Sequence, residues 1–304
     1  MAHPTDSQAL PPEFIVIGHA TRDLAPDGDW RLGGTVSFAA LTARRLGLRA
    51  GIVTSGPAEV LAALGALAPG VAIAAIPSPD ASTFENSYHD GHRKQYLRGR
   101  AAPITLAAIP ERWREAAIVL LAPLAQEVDP AIAAAFPQAL VGATPQGWLR
   151  QWDADGFVLP APLGAAAGAL PHLAALVLSQ EDLVPANGHR LPPPPGVPTT
   201  PSEAAALVTA WARVVPHVVM TEGKDGAWLW TNGRAPERFA AYPMREVDPT
   251  GAGDVFAAAF LCRLRATGDP RGAVDFAQRV AGLSVEHVGA TGIPTPAELA
   301  ARFG

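Results

Sequence analysis

Val247-Asp248-Pro249-Thr250-Gly251-Ala252-Gly253-Asp254 runs directly into the small, apolar stretch Val255-Phe256-Ala257-Ala258-Ala259-Phe260-Leu261. Gly251, Ala252 and Gly253 stand just before a predicted helix, where backbone N–H groups lack intrahelical partners and the helix dipole favours negative charge. Such a turn is an anion site. Asp254 falls in the first helical turn, where its carboxylate can take a hydrogen bond from a hydroxyl attacking that anion. The layout suits phosphoryl transfer. An aspartate at a helix start also serves as a plain cap, and Gly-Ala-Gly also permits simple close packing, so the residues alone leave both readings open.

Working outward, Phe14-Ile15-Val16-Ile17-Gly18 is a short apolar run of the kind a buried parallel strand needs. A periodic helix follows over residues 33–47, opened by Gly33-Gly34 and closed by Gly47. Ala50 to Ser55 reads as a strand, Glu59 to Leu67 as a helix and Val71 to Ile76 as a strand. Further strands are predicted at Ile118 to Leu121, Leu173 to Leu178 and Val214 to Thr221, with a helix over Glu203 to Val214. Strands alternating with helices give an α/β protein, a three-layer αβα arrangement around a mostly parallel sheet. The proline-rich stretch Leu191 to Pro198 is read as a surface connection within one domain spanning 1–304.

One segment departs from this alternation. Thr83 to Tyr88 and Arg93 to Arg98 flank Asp90-Gly91, a two-residue hairpin signal, and both arms alternate polar with aromatic residues. A small antiparallel flap over about 82–100 is expected, extended by the short segment 20–33. The plain alternative is a surface hairpin. His89 and His92 span the same tight turn without further ligands nearby, which favours a turn over a metal site.

Asp23 and Gly33-Gly34 would lie at the carboxyl edge of the sheet, where ligands of open α/β folds bind. A carboxylate accepts bonds from vicinal hydroxyls and paired glycines let backbone approach a polyol, although Asp23 could equally fix a turn. Thr221-Glu222-Gly223-Lys224-Asp225-Gly226, taken alone, is only a strand-end turn, and Lys224 reads as an exposed charge.

The 247–254 string resembles the C-terminal signature of the PfkB or ribokinase-like carbohydrate kinases, and every position of that signature is filled. The resemblance implies a ribokinase-like fold with a small β lid. It also implies an anion hole made by Gly251, Ala252 and Gly253, and Asp254 as catalytic base. It further implies substrate contacts from Asp23, Gly33, Gly34, Ser37 and Phe38, with Phe84, Asn86 and Tyr88 on the lid. Thr221, Gly223, Gly226, Thr250, Gly251 and Gly253 would face the nucleotide. Phe38, preceded by Ser37, stands where ribokinase-type members place a sugar-binding Asn, which argues against ribose itself. Leu178-Ser179-Gln180-Glu181-Asp182 occupies the position of the family's Asn-x-x-Glu motif, so Asp182 is the candidate for magnesium, held through water. Ser37-Phe38 and Ala281 to Gly289 look closest to the myo-inositol kinase-like branch. ATP and Mg2+ are the implied cofactors, a monovalent cation being left open.

Composition narrows the remaining classes. The chain has 304 residues, 49% hydrophobic and 17% charged, so it is neither disordered nor provided with an apolar stretch long enough for a bilayer. Met1 to Pro12 lacks a secretory or transit pattern, and the lone Cys262 cannot form an internal disulfide, so a cytoplasmic protein is expected. A net charge of −5 argues against nucleic acid as partner. No Gly-x-x-x-x-Gly-Lys-Ser/Thr and no Gly-x-Gly-x-x-Gly is present, which removes P-loop and dinucleotide-binding readings. The sequence therefore points to an ATP-dependent kinase of a small polyol or sugar, working as monomer or homodimer. Its rivals are a nucleoside or ribose-like sugar kinase and a non-catalytic binding protein of the same fold.

Overall fold

Phe14-Ile15-Val16-Ile17 forms β1 (Phe14–Ile17), which is buried throughout and sends alternate side chains to opposite faces of the sheet. The computed structural model to which it belongs describes residues 10–25, 28–89, 92–184 and 193–304. After β1 come β2 (Thr21–Leu24), β3 (Trp30–Gly33), α1 (Thr35–Arg45), β4 (Ala50–Gly56), α2 (Ala58–Leu67) and β5 (Ala72–Pro77). The hairpin β6 (Ser82–His89) and β7 (His92–Gly99) precedes β8 (Ile118–Leu121), β9 (Leu140–Ala143), β10 (Arg150–Trp152), β11 (Val158–Pro160) and β12 (Ala175–Ser179). The chain closes with α3 (Gln180–Leu183), α4 (Pro201–Trp211), β13 (His217–Thr221), β14 (Ala227–Thr231), β15 (Glu237–Phe239), α5 (Ala252–Thr267), α6 (Pro270–Ser284) and α7 (Pro296–Phe303).

Among the described residues the main sheet runs β15-β14-β13-β12-β9-β8-β1-β4-β5. Every pair from β13 to β5 is parallel, and β14 and β15 are added antiparallel at one edge. From β1 the chain first builds outward through β4 and β5, then crosses back to β8 and builds the other way. The strand order therefore reverses between β1 and β8, and a crevice at such a point is where open α/β sheets bind ligands.

Phe14 and Val16 join Ile52, Leu120 and Val177 in one core, closed by α1, α2, α5 and α6. Ile15 and Ile17 join Val119, Leu121, Val218 and Met220 in the other. The two faces are covered differently. The second carries α4 and a series of 3-10 segments, Glu111–Glu115, Pro130–Ala135, Pro145–Leu149 and Gly164–His172 among them, where regular helices were expected. Pro171 lies inside the last of these segments, where a ring without an N–H stops an α-helix from propagating.

A second sheet, β3-β2-β6-β7, stands at the end of the crevice. It contains both segments expected to make the lid, including 20–33, which supplies the hairpin β2–β3. The Asp90-Gly91 turn itself lies outside the described residues. His19, fully buried after β1, pins the base of this sheet: its Nε2 donates to the carbonyl of Ala102 at 2.9 Å, which leaves Nδ1 to accept from the Ser82 hydroxyl at 2.6 Å. The pair β10–β11, unforeseen in the sequence, packs on β7, with the Leu97 amide donating to the carbonyl of Gly156 at 2.8 Å and the Tyr96 and Phe157 rings meeting edge to face at 5.3 Å. Among the described residues no helix is long and apolar enough to cross a membrane.

Gly226, at the tight turn between β13 and β14, holds φ at +106°, and a Cβ there would sit 2.0 Å from the carbonyl oxygen of Phe239. Gly226→Ala therefore strains both the backbone and the β15 edge. It is expected to cost about 1–3 kcal/mol of unfolding free energy, read as a lowered midpoint in denaturant titration.

Candidate active site

The site begins where two helices start. α5 opens on Gly251, whose φ of +78° turns the chain into the helix, and α1 opens on Gly34 at φ +94°. Neither position tolerates a side chain: a Cβ on Gly34 would lie 2.5 Å from the carbonyl oxygen of His19, and one on Gly251 would lie 2.4 Å from the Phe38 ring. The amide of Ala252 donates to the carbonyl of Pro249 at 3.1 Å, so it is turned into the loop and is not open to an incoming anion in this structure. No carbonyl partner stands opposite the amides of Gly251, Gly253 and Asp254 among the described residues. Asp248 braces the loop, its carboxylate accepting from the amides of Thr250 at 3.0 Å and Gly289 at 2.9 Å.

Asp254 is half-buried at the third position of α5. Burial pushes its carboxyl up to about 7, opposed by a hydrogen bond from the Thr35 hydroxyl and by the positive charge of Arg150, and reinforced by the negative charge of Asp182. Thr35 is the first residue of α1, so the same Gly-Gly turn that brings backbone close to the crevice also sets a hydroxyl against the carboxylate. The sequence reading missed Thr35 and Arg150. The Gly33-Gly34 turn held the signal for the first, while nothing local marks the second.

The remaining candidates fall at several places. Asp23 is half-buried on β2, paired with Arg31 of β3, and its Oδ1 accepts from the Thr21 hydroxyl at 3.2 Å. Its carboxylate lies against Gly33, where a Cβ would come within 2.2 Å of Oδ2. Ser37 is fully buried and donates to the carbonyl of Gly33 at 3.1 Å, and Phe38 is buried beneath Gly251. Both residues thus support the floor of the loop from inside. Phe84 is buried on the lid with Leu97, Leu124, Ala125 and Val158 around it, and Asn86 accepts from Gln95 across the β6–β7 pair at 3.0 Å. The side chain of Tyr88 lies outside the described residues. Asp182 closes a capping box on α3: its Oδ2 accepts from the Ser179 amide at 2.9 Å and its Oδ1 from Gln146 at 2.8 Å.

Beside the α5 N-terminus lies a cleft of about 180 Å³, open to solvent. Thr221, Gly223, Gly226 and Gly253, which the resemblance assigned to the nucleotide, line it together with Lys224, whereas Gly251 and Asp254 are not among the lining residues. Thr250 is exposed at the loop tip and is not among the lining residues. The far wall was not foreseen. Tyr242, Met244 and Glu246 line it from an irregular segment at alternate positions, facing Gln278 and Gly282 of α6. Tyr242 is held by its hydroxyl, which donates to Asp275 at 2.5 Å, and by the Phe303 ring edge to face at 5.2 Å. One end of the cleft is thus polar backbone and glycine, the other apolar and aromatic.

The raised proton affinity of Asp254 has a consequence for stability. Its folded-state pKa of about 7 lies above the ordinary aspartate value of 3.8, so the folded protein holds a proton that the unfolded chain releases. Stability is lost as pH rises from near 4 through about 7 and stays lost above it. Asp254→Asn removes the penalty. Its melting temperature should exceed that of the wild type at pH 8, with the gain shrinking toward pH 5, as scanning calorimetry at the two pH values would show.

Comparison with known proteins adds relatives to this geometry. A stretch of 101 residues is 41% identical to ribokinase of Bacillus subtilis (strain 168), covering 33% of this chain and 32% of that protein. A stretch of 122 residues is 35% identical to inositol 3-kinase of Zea mays, covering 39% of this chain and 26% of that protein. The matched stretch thus spans about a third or less of each curated relative. Over whole chains the fold is shared with a pyrophosphate-dependent kinase in the ribokinase family, solved with a pyrophosphate analogue and myo-inositol, at TM-score 0.75 and 20% identity over 95% of this chain and 99% of that one. Arabidopsis thaliana ribokinase, solved with ribose and ATP, shares it at TM-score 0.72 and 19% identity over 96% and 98% of the two chains. The family model described as pfkB family carbohydrate kinase matches residues 132–297, more than half of the sequence, and the chain belongs to that family.

Proposed function

We propose that the protein transfers the terminal phosphoryl group of ATP to a hydroxyl of a small polyol, with myo-inositol as the leading acceptor. The observation that carries this reading is Asp254: a carboxyl whose pKa burial raises to about 7, in the first turn of a helix whose neighbouring residues Ala252 and Gly253 line an open cleft. A base working at neutral pH is most effective when its own pKa lies near that pH. The acceptor hydroxyl, seated between the lid and Asp254, gives its proton to the carboxylate as its oxygen attacks. The amides at the start of α5 oppose the charge on the moving group.

The cleft supports a nucleoside-bearing donor. Pyrophosphate alone needs only cations and amides, whereas the wall of Tyr242, Met244 and Val285 offers apolar surface beyond the phosphate end. Myo-inositol is favoured over ribose as acceptor by Phe38 beneath the loop and by the likeness to the inositol 3-kinase of Zea mays. Among the described residues no group of three His, Cys, Asp or Glu side chains could hold a metal by itself. Magnesium would therefore take most of its oxygens from donor phosphates and water, which is its habit, and Asp182 would reach it through a water. Bound there it neutralises phosphate charge.

Purified protein incubated with ATP and magnesium against inositols, sugars and nucleosides tests this reading by nucleotide consumption, with pyrophosphate run in parallel as donor. The expected result is turnover with myo-inositol and ATP, with kcat/KM rising as pH passes through about 7. Asp254→Asn should lose roughly 10²–10⁴-fold in turnover while still binding nucleotide. Silence across the whole panel with nucleotide bound would leave a non-catalytic binding protein. A further variant reads the donor wall: Gly282→Val intrudes where a Cβ already meets the Met244 side chain at 3.0 Å. It should raise KM for ATP by about tenfold, roughly 1.4 kcal/mol, with KM for the acceptor unchanged.

A further inference from the structure

Gln278, Ala281 and Gly282 of α6 and Val285 just past its end line the cleft, and their spacing of three and four residues puts them on one face of the helix. Met244 lies directly on Gly282, where a Cβ would come within 3.0 Å of it, so the far wall is continuous and apolar. Gln278 interrupts that wall. It is 9% exposed, and its Nε2 donates to the carbonyl of Phe239 at 3.2 Å. A carbonyl only accepts, so this bond fixes which way the carboxamide is turned, nitrogen to Phe239 and oxygen away from it. No donor among the described residues meets that Oε1, on a side chain that lines the cleft. The other polar side chains of the lining are placed differently. The Tyr242 hydroxyl donates to Asp275 and accepts from Arg279 Nε at 3.1 Å, and the Thr221 hydroxyl donates to the carbonyl of Leu178 at 3.4 Å. Lys224 and Glu246 are exposed. The cleft thus holds one buried acceptor with its lone pairs unused.

We propose that Gln278 selects the base of the donor: its carbonyl oxygen takes a hydrogen bond from the exocyclic amino group of adenine, so that a 6-aminopurine is bound and a 6-oxopurine is refused. This inference rests on the reading of the cleft as the donor site, and it names the atom that reads the base there. Tyr242, Met244 and Ala281 offer apolar contact that any purine can use, so they bind without choosing. The choice falls to the polar group. Guanine and hypoxanthine carry an oxygen where adenine carries N–H donors, and against Gln278 that oxygen would face another oxygen. Turning the carboxamide over gives no relief, because its oxygen would then face the Phe239 carbonyl. Two acceptors buried without a donor are costly. The Phe239 carbonyl has little freedom to withdraw, since Gly226 passes it so closely that a Cβ there would come within 2.0 Å of its oxygen. The glycine turn between β13 and β14 and the choice of base therefore depend on the same carbonyl.

Titration calorimetry with magnesium present and no acceptor, comparing ATP with ITP, tests the inference. The two differ in the group at C6 and in the N1 proton that goes with it. The wild type should bind ATP roughly tenfold to hundredfold more tightly than ITP. Gln278→Met keeps the length of the side chain and removes both polar groups, and it should bring the two affinities within about threefold of each other by weakening ATP alone. The ratio is internal to each protein, so a general loosening of α6, which lowers both affinities, does not imitate this result. The wild-type ratio also stands as a test if the variant does not fold. Equal affinity for ATP and ITP in the wild type would overturn the inference and leave the kinase reading standing. So would a Gln278→Met protein with the wild-type ratio, which would assign the choice of base to the main chain. Preference for ATP without turnover of any acceptor would remove the kinase reading and uphold the role of Gln278. Binding of neither triphosphate would overturn the inference, and turnover with pyrophosphate would then identify the donor.

Discussion

The abutment of two helix N-termini governs the site. α1 and α5 pack against each other, and their first turns bring Thr35 and Asp254 into hydrogen-bond contact across the crevice. The contact depends on backbone that only glycine supplies. Gly34 passes His19 too closely for any Cβ, and Gly251 rests on the Phe38 ring with a positive φ. At that contact the Asp254 carboxylate is disfavoured by loss of water and by the charge of Asp182, and favoured by the Thr35 hydroxyl and the charge of Arg150, which leaves its pKa at about 7.

The rest of the molecule can be understood as what holds that abutment still. α5 carries the small residues Ala257, Ala258 and Ala259, and β9 carries Gly142, where a Cβ would meet Leu261 of α5 at 2.7 Å. Close approach of helix to strand fixes the height of the α5 N-terminus over the crevice. On the other side, Glu127 binds three amides from the ends of β1 and β8, which holds the point of strand reversal together. A buried carboxylate left unpaired would be costly, but one that accepts from several N–H groups is well satisfied and rigid. The second sheet is attached to the end of β1 through the hydrogen bond between His19 and Ser82.

How much of this could be seen in the sequence followed from how far apart the interacting residues lie in the chain. The α5 turn was legible because the amides and the carboxylate are contiguous, and β1, β4 and α1 because their periodicity is uninterrupted. The hairpin β6–β7 was legible from its turn and its alternation. The opposite face of the sheet was not, since its 3-10 segments are short, carry no sustained helical period, and one is interrupted by Pro171. The β10–β11 pair was missed for a different reason. Its strands are three residues long, β11 ends in Pro160, and its stability comes from contacts with β7, more than fifty positions earlier. The same is true of Arg150 and of the wall formed by Tyr242 and Met244, whose positions are set by tertiary packing on the Phe84 cluster and on α6 and α7.

A physical reason connects the late-recognised parts to the early ones. The β10–β11 hairpin is tied to the second sheet by Leu97, Arg98 and Val158 and to the sheet end by Gln126. From β10 the charge of Arg150 acts on Asp254. Burial alone would push Asp254 toward the protonated form, and Arg150 and Thr35 both pull it back, while Asp182 opposes them. The proton affinity of Asp254 is therefore set jointly by α1, α3, α5 and β10. Because Val158 of β11 shares an apolar cluster with Phe84 and Leu97 of the second sheet, and β11 pairs with β10, the place from which Arg150 acts on Asp254 is tied to that sheet.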